Sequence, residues 1–73
     1  MAKEIVEVPI TGKIISVEAK VGDTLQEGDV ICTIEAMKME NPIMAPVSGK
    51  VTELKVKAGD LVSSGGIIAV IEY

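Results

Sequence analysis

The sequence predicts an all-β domain, a flattened barrel or sandwich with an internal quasi-two-fold. Three observations predict it. Val and Ile dominate an aliphatic composition almost free of aromatics, and β-branched residues favour pleated strands. The second half of the chain repeats the first. Gly-Asp and Gly-Gly pairs punctuate both halves, where glycine can take positive φ without steric cost. No stretch shows convincing helical periodicity.

Seventy-three residues make one domain, 1–73, and no more. A domain of this size hides only about 60% of the surface its unfolded chain exposes, so its core is thin. With Tyr73 the only aromatic, that core must be built from Val, Ile, Leu, Ala and Met. Cys32, the only cysteine, rules out an internal disulfide and makes the cytoplasm the default compartment. It lies in the apolar run Val30–Ile34, where a buried, inert thiol is expected. The formal net charge is −4, with no arginine and no histidine. That balance argues against nucleic-acid binding and removes the commonest general base and metal ligand. No apolar stretch approaches the ~20 residues of a membrane span, and the N-terminus has no signal-peptide apolar region. An independent enzyme is not expected, since no phosphate loop, metal cluster or nucleophile–base pair is visible.

Residues 4–36 align with residues 41–73 at a constant offset of 37, without a gap. Pro9 matches Pro46, Gly12 matches Gly49 and Lys13 matches Lys50. Lys20-x-Gly22-Asp23 matches Lys57-x-Gly59-Asp60, and Gly28 matches Gly65. Ile31, Ile34 and Glu35 match Ile68, Ile71 and Glu72. Chance does not supply Gly-Asp turns in register. Within each half the alternation Ile15, Val17, Ala19, Val21 and its mate Leu54, Val56, Ala58 read as half-buried strands. The runs Val30–Ile34 and Ile67–Ile71 suit strands buried more fully. Each half is expected to cover the other's apolar face. Gly12, Gly22, Gly28, Gly49, Gly59 and Gly65 read as architectural turn residues, as do Pro9 and Pro46.

The repeats leave Met37-Lys38-Met39-Glu40 as the junction. Under a two-fold, the counterpart of that junction is where the chain begins and ends, so hairpin 37–40 should project from the end opposite both termini. A tight hairpin normally calls for Asn-Gly or Asp-Gly, because its favoured turns need positive φ. This junction breaks that rule, as functional sites often do. The alternative is a turn slightly later, at Asn41-Pro42, with Met37 and Met39 in the core and Lys38 a solvated charge.

Glu35-Ala36-Met37-Lys38-Met39-Glu40 resembles the attachment sequence of the biotinyl domain family of biotin-dependent carboxylases, decarboxylases and transcarboxylases. The Pro-x-x-Gly-Lys turns, the Gly-Asp turns and Ala45-Pro46-Val47-Ser48-Gly49 extend the resemblance across essentially the whole chain. It implies two four-stranded halves and, since the repeat has no insertion, the thumbless form of the fold. It implies that Lys38 carries covalent biotin, installed by a biotin protein ligase through biotinyl-adenylate. It further implies a non-catalytic carrier that shuttles a carboxyl group between a biotin carboxylase and a carboxyltransferase or decarboxylase, without inserting into a membrane. Glu35, Ala36, Met37, Met39 and Glu40 would then be recognition residues for ligase and partners.

Each flanking residue also has a plainer reading. Met37 and Met39 offer flexible, polarizable contact surface to several partners, or one or both pack back on the barrel. Glu35 has a match in Glu72, which favours a structural role equally. The other readings of the chain are a lipoyl carrier on the same fold and an unmodified adaptor. Lipoyl domains usually place Asp before the lysine and Ala or Val after it, and Met37 and Met39 argue against that.

Overall fold

The computed structural model describes residues 2–73. The chain forms eight strands and, among the described residues, no helix. They are β1 (Lys3–Glu7), β2 (Gly12–Val17), β3 (Thr24–Leu25), β4 (Val30–Ala36), β5 (Met39–Met44), β6 (Gly49–Leu54), β7 (Leu61–Val62) and β8 (Ile67–Glu72). They make two four-stranded antiparallel sheets, ordered β1-β8-β6-β3 and β5-β4-β2-β7. Adding 37 to β2 and β3 gives β6 and β7, and adding it to β1 and β4 gives β5 and β8 to within one residue at one end. The offset therefore turns the first sheet order into the second. The molecule is elongated, 36 × 18 × 16 Å.

This arrangement differs in one respect from the expectation that each half covers the other. Each sheet takes two strands from each half, so the halves interleave instead of stacking. The core shows the same symmetry. Its fully buried side chains include Ile14 with its mate Val51, Ile31 with Ile68, and Ile34 with Ile71. A thin core filled by such pairs buries β-branched side chains from both sheets at once, at about 1.5–3 kcal/mol for each large aliphatic group.

The expected alternation from Ile15 to Val21 also differs from what the chain does. The strand stops at Val17, Ile14 is the buried residue, and Val21 is 62% exposed. A register shift between Ile14 and Ser16 leaves Ile15 without a partner, and its mate falls between Val51 and Glu53. A bulge of this kind adds one residue to one strand and sharpens its bend. Beyond the bulge the expected parity holds, with Val17 packed against the core and Ala19 buried, whereas before it the inward residue is Ile14 and Ile15 turns outward.

Gly22, Gly28, Gly59 and Gly65 take positive φ in the turns. Gly12 and Gly49 do not, and instead open β2 and β6. What they need is space. A Cβ on Gly12 would run into the Glu35 carbonyl and come within 2.8 Å of Ile34 Cγ2 and 3.2 Å of Ala36 Cβ, all on β4. The turns at residues 8–11, 18–23 and 26–29 have counterparts of the same length at 45–48, 55–60 and 63–66, so the first half carries no extra loop.

Candidate functional site

The sequence placed the candidate attachment and recognition residues at 35–40, and the structure brings them together on the β4–β5 hairpin. Glu35 and Ala36 end β4, Met39 and Glu40 begin β5, and the loop itself is only Met37 and Lys38. Pairing runs unbroken to the tip, with Ile34 opposite Asn41, Glu35 opposite Glu40 and Ala36 opposite Met39. Both loop residues are left-handed, Met37 at φ 53° and Lys38 at φ 64°. A two-residue loop with positive φ at both positions is the type I′ pattern, which matches strand twist and usually recruits Asn-Gly. Ordinary side chains there cost roughly 1–2 kcal/mol each. The ladder supplies what the loop lacks.

The alternative turn at Asn41-Pro42 does not form, because both residues lie within β5. Proline is acceptable there, since β5 is an edge strand and a missing N–H can face solvent. Nor do the methionines pack into the core. Met37 is 87% exposed and Met39 66% exposed. Met39 stands opposite Ala36, which is buried, so its position has core-facing parity but lies beyond the core's end. Lys38 is exposed at the tip between two exposed thioethers.

The charges around the tip are uneven. Glu35 faces Glu40 across the ladder on one side and Lys13 on the other. The two-fold mates of Glu40, Glu35 and Lys13 are Lys3, Glu72 and Lys50, which alternate in sign along the opposite sheet. Like charges directly opposite are unfavourable, so the Glu35–Glu40 pair contributes nothing to the hairpin's stability. Both carboxylates are exposed. Ala36 is buried and roots the hairpin against Gly12.

The hairpin projects away from the other landmarks of the chain. β5 runs from Met39 at the tip to Met44, and residues 45–48 then carry the chain to Gly49. Next to Gly49, Lys50 pairs with Glu72, which pairs with Lys3. Beyond that row Ala2 and Tyr73 exchange backbone hydrogen bonds of 2.7 and 2.8 Å. Ala2 and Tyr73 are the two-fold mates of Met39 and Ala36, and they lie at the far end of the long axis from Lys38.

The other reactive group in the chain is out of reach. Cys32 is fully buried, and burial pushes its thiol up to about 11, away from the thiolate form that reacts. Among the described residues there is no pocket, no cluster of metal-ligating side chains and no helix long and apolar enough to cross a membrane.

An all-β two-fold sandwich whose halves meet at a two-residue, lysine-bearing hairpin defines a class, the small β-sandwich domain of the biotin/lipoyl type. Residues 4–71 match the biotin/lipoyl family model, described as biotin-requiring enzyme, and the chain belongs to this family as a biotinyl carrier domain. It is similar to the glutaconyl-CoA decarboxylase subunit gamma of Acidaminococcus fermentans, 54% identical over 39 residues, covering 53% of this chain and 27% of that one. It is equally similar to the propionyl-CoA carboxylase alpha chain of Ruegeria pomeroyi, 54% identical over 37 residues, 51% of this chain and 5% of that one. Among solved structures, the urea carboxylase of Kluyveromyces lactis superposes with a TM-score of 0.90 at 39% identity, over 99% of this chain and 6% of that one. The chain thus spans only a small part of the length of these relatives.

Proposed function

We propose that Lys38 is the residue to which biotin is attached, and that residues 1–73 act as one attachment domain. The observation that carries this reading is the exposed lysine at the apex of a two-residue hairpin whose backbone is held by pairing right up to the tip. An amine so placed fits the acyl group it would carry. It is accessible, and the rest of the domain lies behind it. Ligation would join Nζ to the carboxyl carbon of biotinyl-adenylate, release AMP and a proton, and take the formal net charge from −4 to −5. Bound biotin supplies a ring that accepts and releases a carboxyl group.

The domain itself supplies presentation and no catalysis. Tethering raises the effective concentration of the carried group at each partner's site, and the position of Lys38 lets the arm enter a cleft ahead of the domain body. The partners we assign are a biotin protein ligase, a biotin carboxylase and a carboxyltransferase or decarboxylase, in the cytoplasm, where the lone thiol of Cys32 stays reduced. Met37, Met39, Glu35 and Glu40 form the surface these partners read, with Ala36 as its root. The supporting observation is that two large apolar side chains stand exposed where nothing in the fold uses them. The test is intact mass after incubation with biotin, ATP and an active ligase, with Lys38→Arg as the control.

A further inference from the structure

The hairpin has to hold two left-handed residues without the glycine or asparagine that normally favours such a turn. A one-residue slip in pairing would turn every side chain to the other face and remove Lys38 from the apex. Burial of Ile34, Ala36 and Ile43 sets which face of the hairpin turns inward, and a contact between the two arms near the tip adds to that specification. Asn41 lies on β5 opposite Ile34, and its Nδ2 donates to the Ile34 carbonyl at 3.4 Å and to the Met39 carbonyl at 3.3 Å. One of these carbonyls belongs to each arm of the hairpin.

The internal symmetry provides a comparison within the same molecule. The mate of Asn41 is Glu4, which stands opposite Ile71 as Asn41 stands opposite Ile34. Glu4 has no amide to donate, and among the described residues its side chain makes no bond of this kind. Beyond Glu4 the ladder closes through Ala2 and Tyr73 and no turn is required. The bridging amide occurs at only one of two equivalent ladder positions, the one beyond which the chain must turn.

We propose that Asn41 is a positioning residue for the modification of Lys38. Its amide fastens β4 to β5 in a single register and thereby holds Met37 and Lys38 in the left-handed turn. The proposal rests on Lys38 as the attachment residue. The ligase would meet a competent tip only in the fraction of molecules with the correct register, so its apparent affinity falls with that fraction.

The test uses Asn41→Asp, which keeps the shape but aims an oxygen at the two carbonyls, and Asn41→Ala, which removes the donor without adding charge. NMR reports the tip through the HN–Hα couplings of Met37 and Lys38 and the cross-strand contacts of Ala36 with Met39. Ligase kinetics supply KM and kcat for the unmodified domain. Both variants are expected to lose the wild-type couplings and to raise KM about tenfold, the effect of a competent fraction near one tenth, with kcat little changed. Asn41→Ser, which regains one donor, is expected to recover part of both. Gly49→Ala, destabilised at the far end of the molecule, controls for loss of stability alone and keeps the wild-type KM. Wild-type couplings and contacts in Asn41→Asp or Asn41→Ala would overturn the proposal, as would an equal KM shift in Gly49→Ala. A wild-type protein that takes no biotin would remove the attachment reading, while the NMR comparison would still decide whether Asn41 holds the turn.

Discussion

Gly12 and Gly49 occupy the same place in the two halves, each pressed against a neighbouring strand so closely that a Cβ would meet an isoleucine Cγ2 at 2.8 Å, Ile34 in one case and Ile71 in the other. Both also crowd a backbone carbonyl, that of Glu35 or Glu72, which cannot swing aside as a side chain can. Gly12→Ala and Gly49→Ala should each lower stability by about 1–3 kcal/mol, measured by urea unfolding. Only Gly12 lies under the hairpin root. Gly12→Ala should therefore also slow biotin ligation, and Gly49→Ala should not.

Met37 sits at φ 53° with most of its side chain in solvent. Asparagine tolerates that conformation better than methionine, so Met37→Asn should raise stability by up to about 1 kcal/mol. The same change removes an exposed thioether from the proposed recognition surface and should slow ligation. Denaturant midpoints and labelling rates on one preparation measure both. A gain in stability with a loss of labelling is the expected combination.

Three of the four Gly turns are tied by an aspartate. Asp23 accepts from the Lys20 N–H at 2.9 Å, Asp29 from Gln26 at 2.9 Å and Asp60 from Lys57 at 3.0 Å. The fourth turn has Gly66 at the matching position, and the chain follows the same path there. Gly66→Asp should supply the missing acceptor for the Ser63 N–H. A gain of up to about 1 kcal/mol is expected, measured as a rise in the urea midpoint.

The Cys32 thiol is raised from 9.0 to about 11 by burial. The folded state thus keeps a proton that the unfolded chain releases. The associated stability is fully present below pH 9 and is lost as pH rises toward 11, by about 2–3 kcal/mol over that interval. Cys32→Val should flatten this part of the stability–pH curve relative to wild type. The native thiol should resist alkylation at neutral pH until the protein is unfolded.

Much of this was legible in the residues because turns and symmetry are written locally. Gly22-Asp23 and Gly59-Asp60 mark equivalent turns, and the offset between them locates the junction from which Lys38 projects. The strands Val30–Ile34 and Ile67–Ile71 could be read because an apolar run has no parity to mistake. Other features were hidden because they depend on which strand lies next to which. The bulge between Ile14 and Ser16 puts Ile14 in the core and turns Ile15 outward while Val17 and Ala19 keep their expected side, and nothing local announces it. The interleaving of the halves follows from pairing partners, to which local periodicity is blind. Asn41-Pro42 looked like a turn because both residues favour turns. On an edge strand the proline is harmless and the asparagine bridges two carbonyls. That bridge was the one element of the hairpin that composition and spacing did not signal.

The central claim is that Lys38 carries biotin, and intact mass with peptide mapping tests it most directly. After incubation with biotin, ATP and a ligase shown to be active on another substrate, one biotin should appear on the peptide containing Lys38. Lys38→Arg should remain unmodified. An unmodified wild-type protein under those conditions, or a biotin mapped to another lysine, would contradict the account.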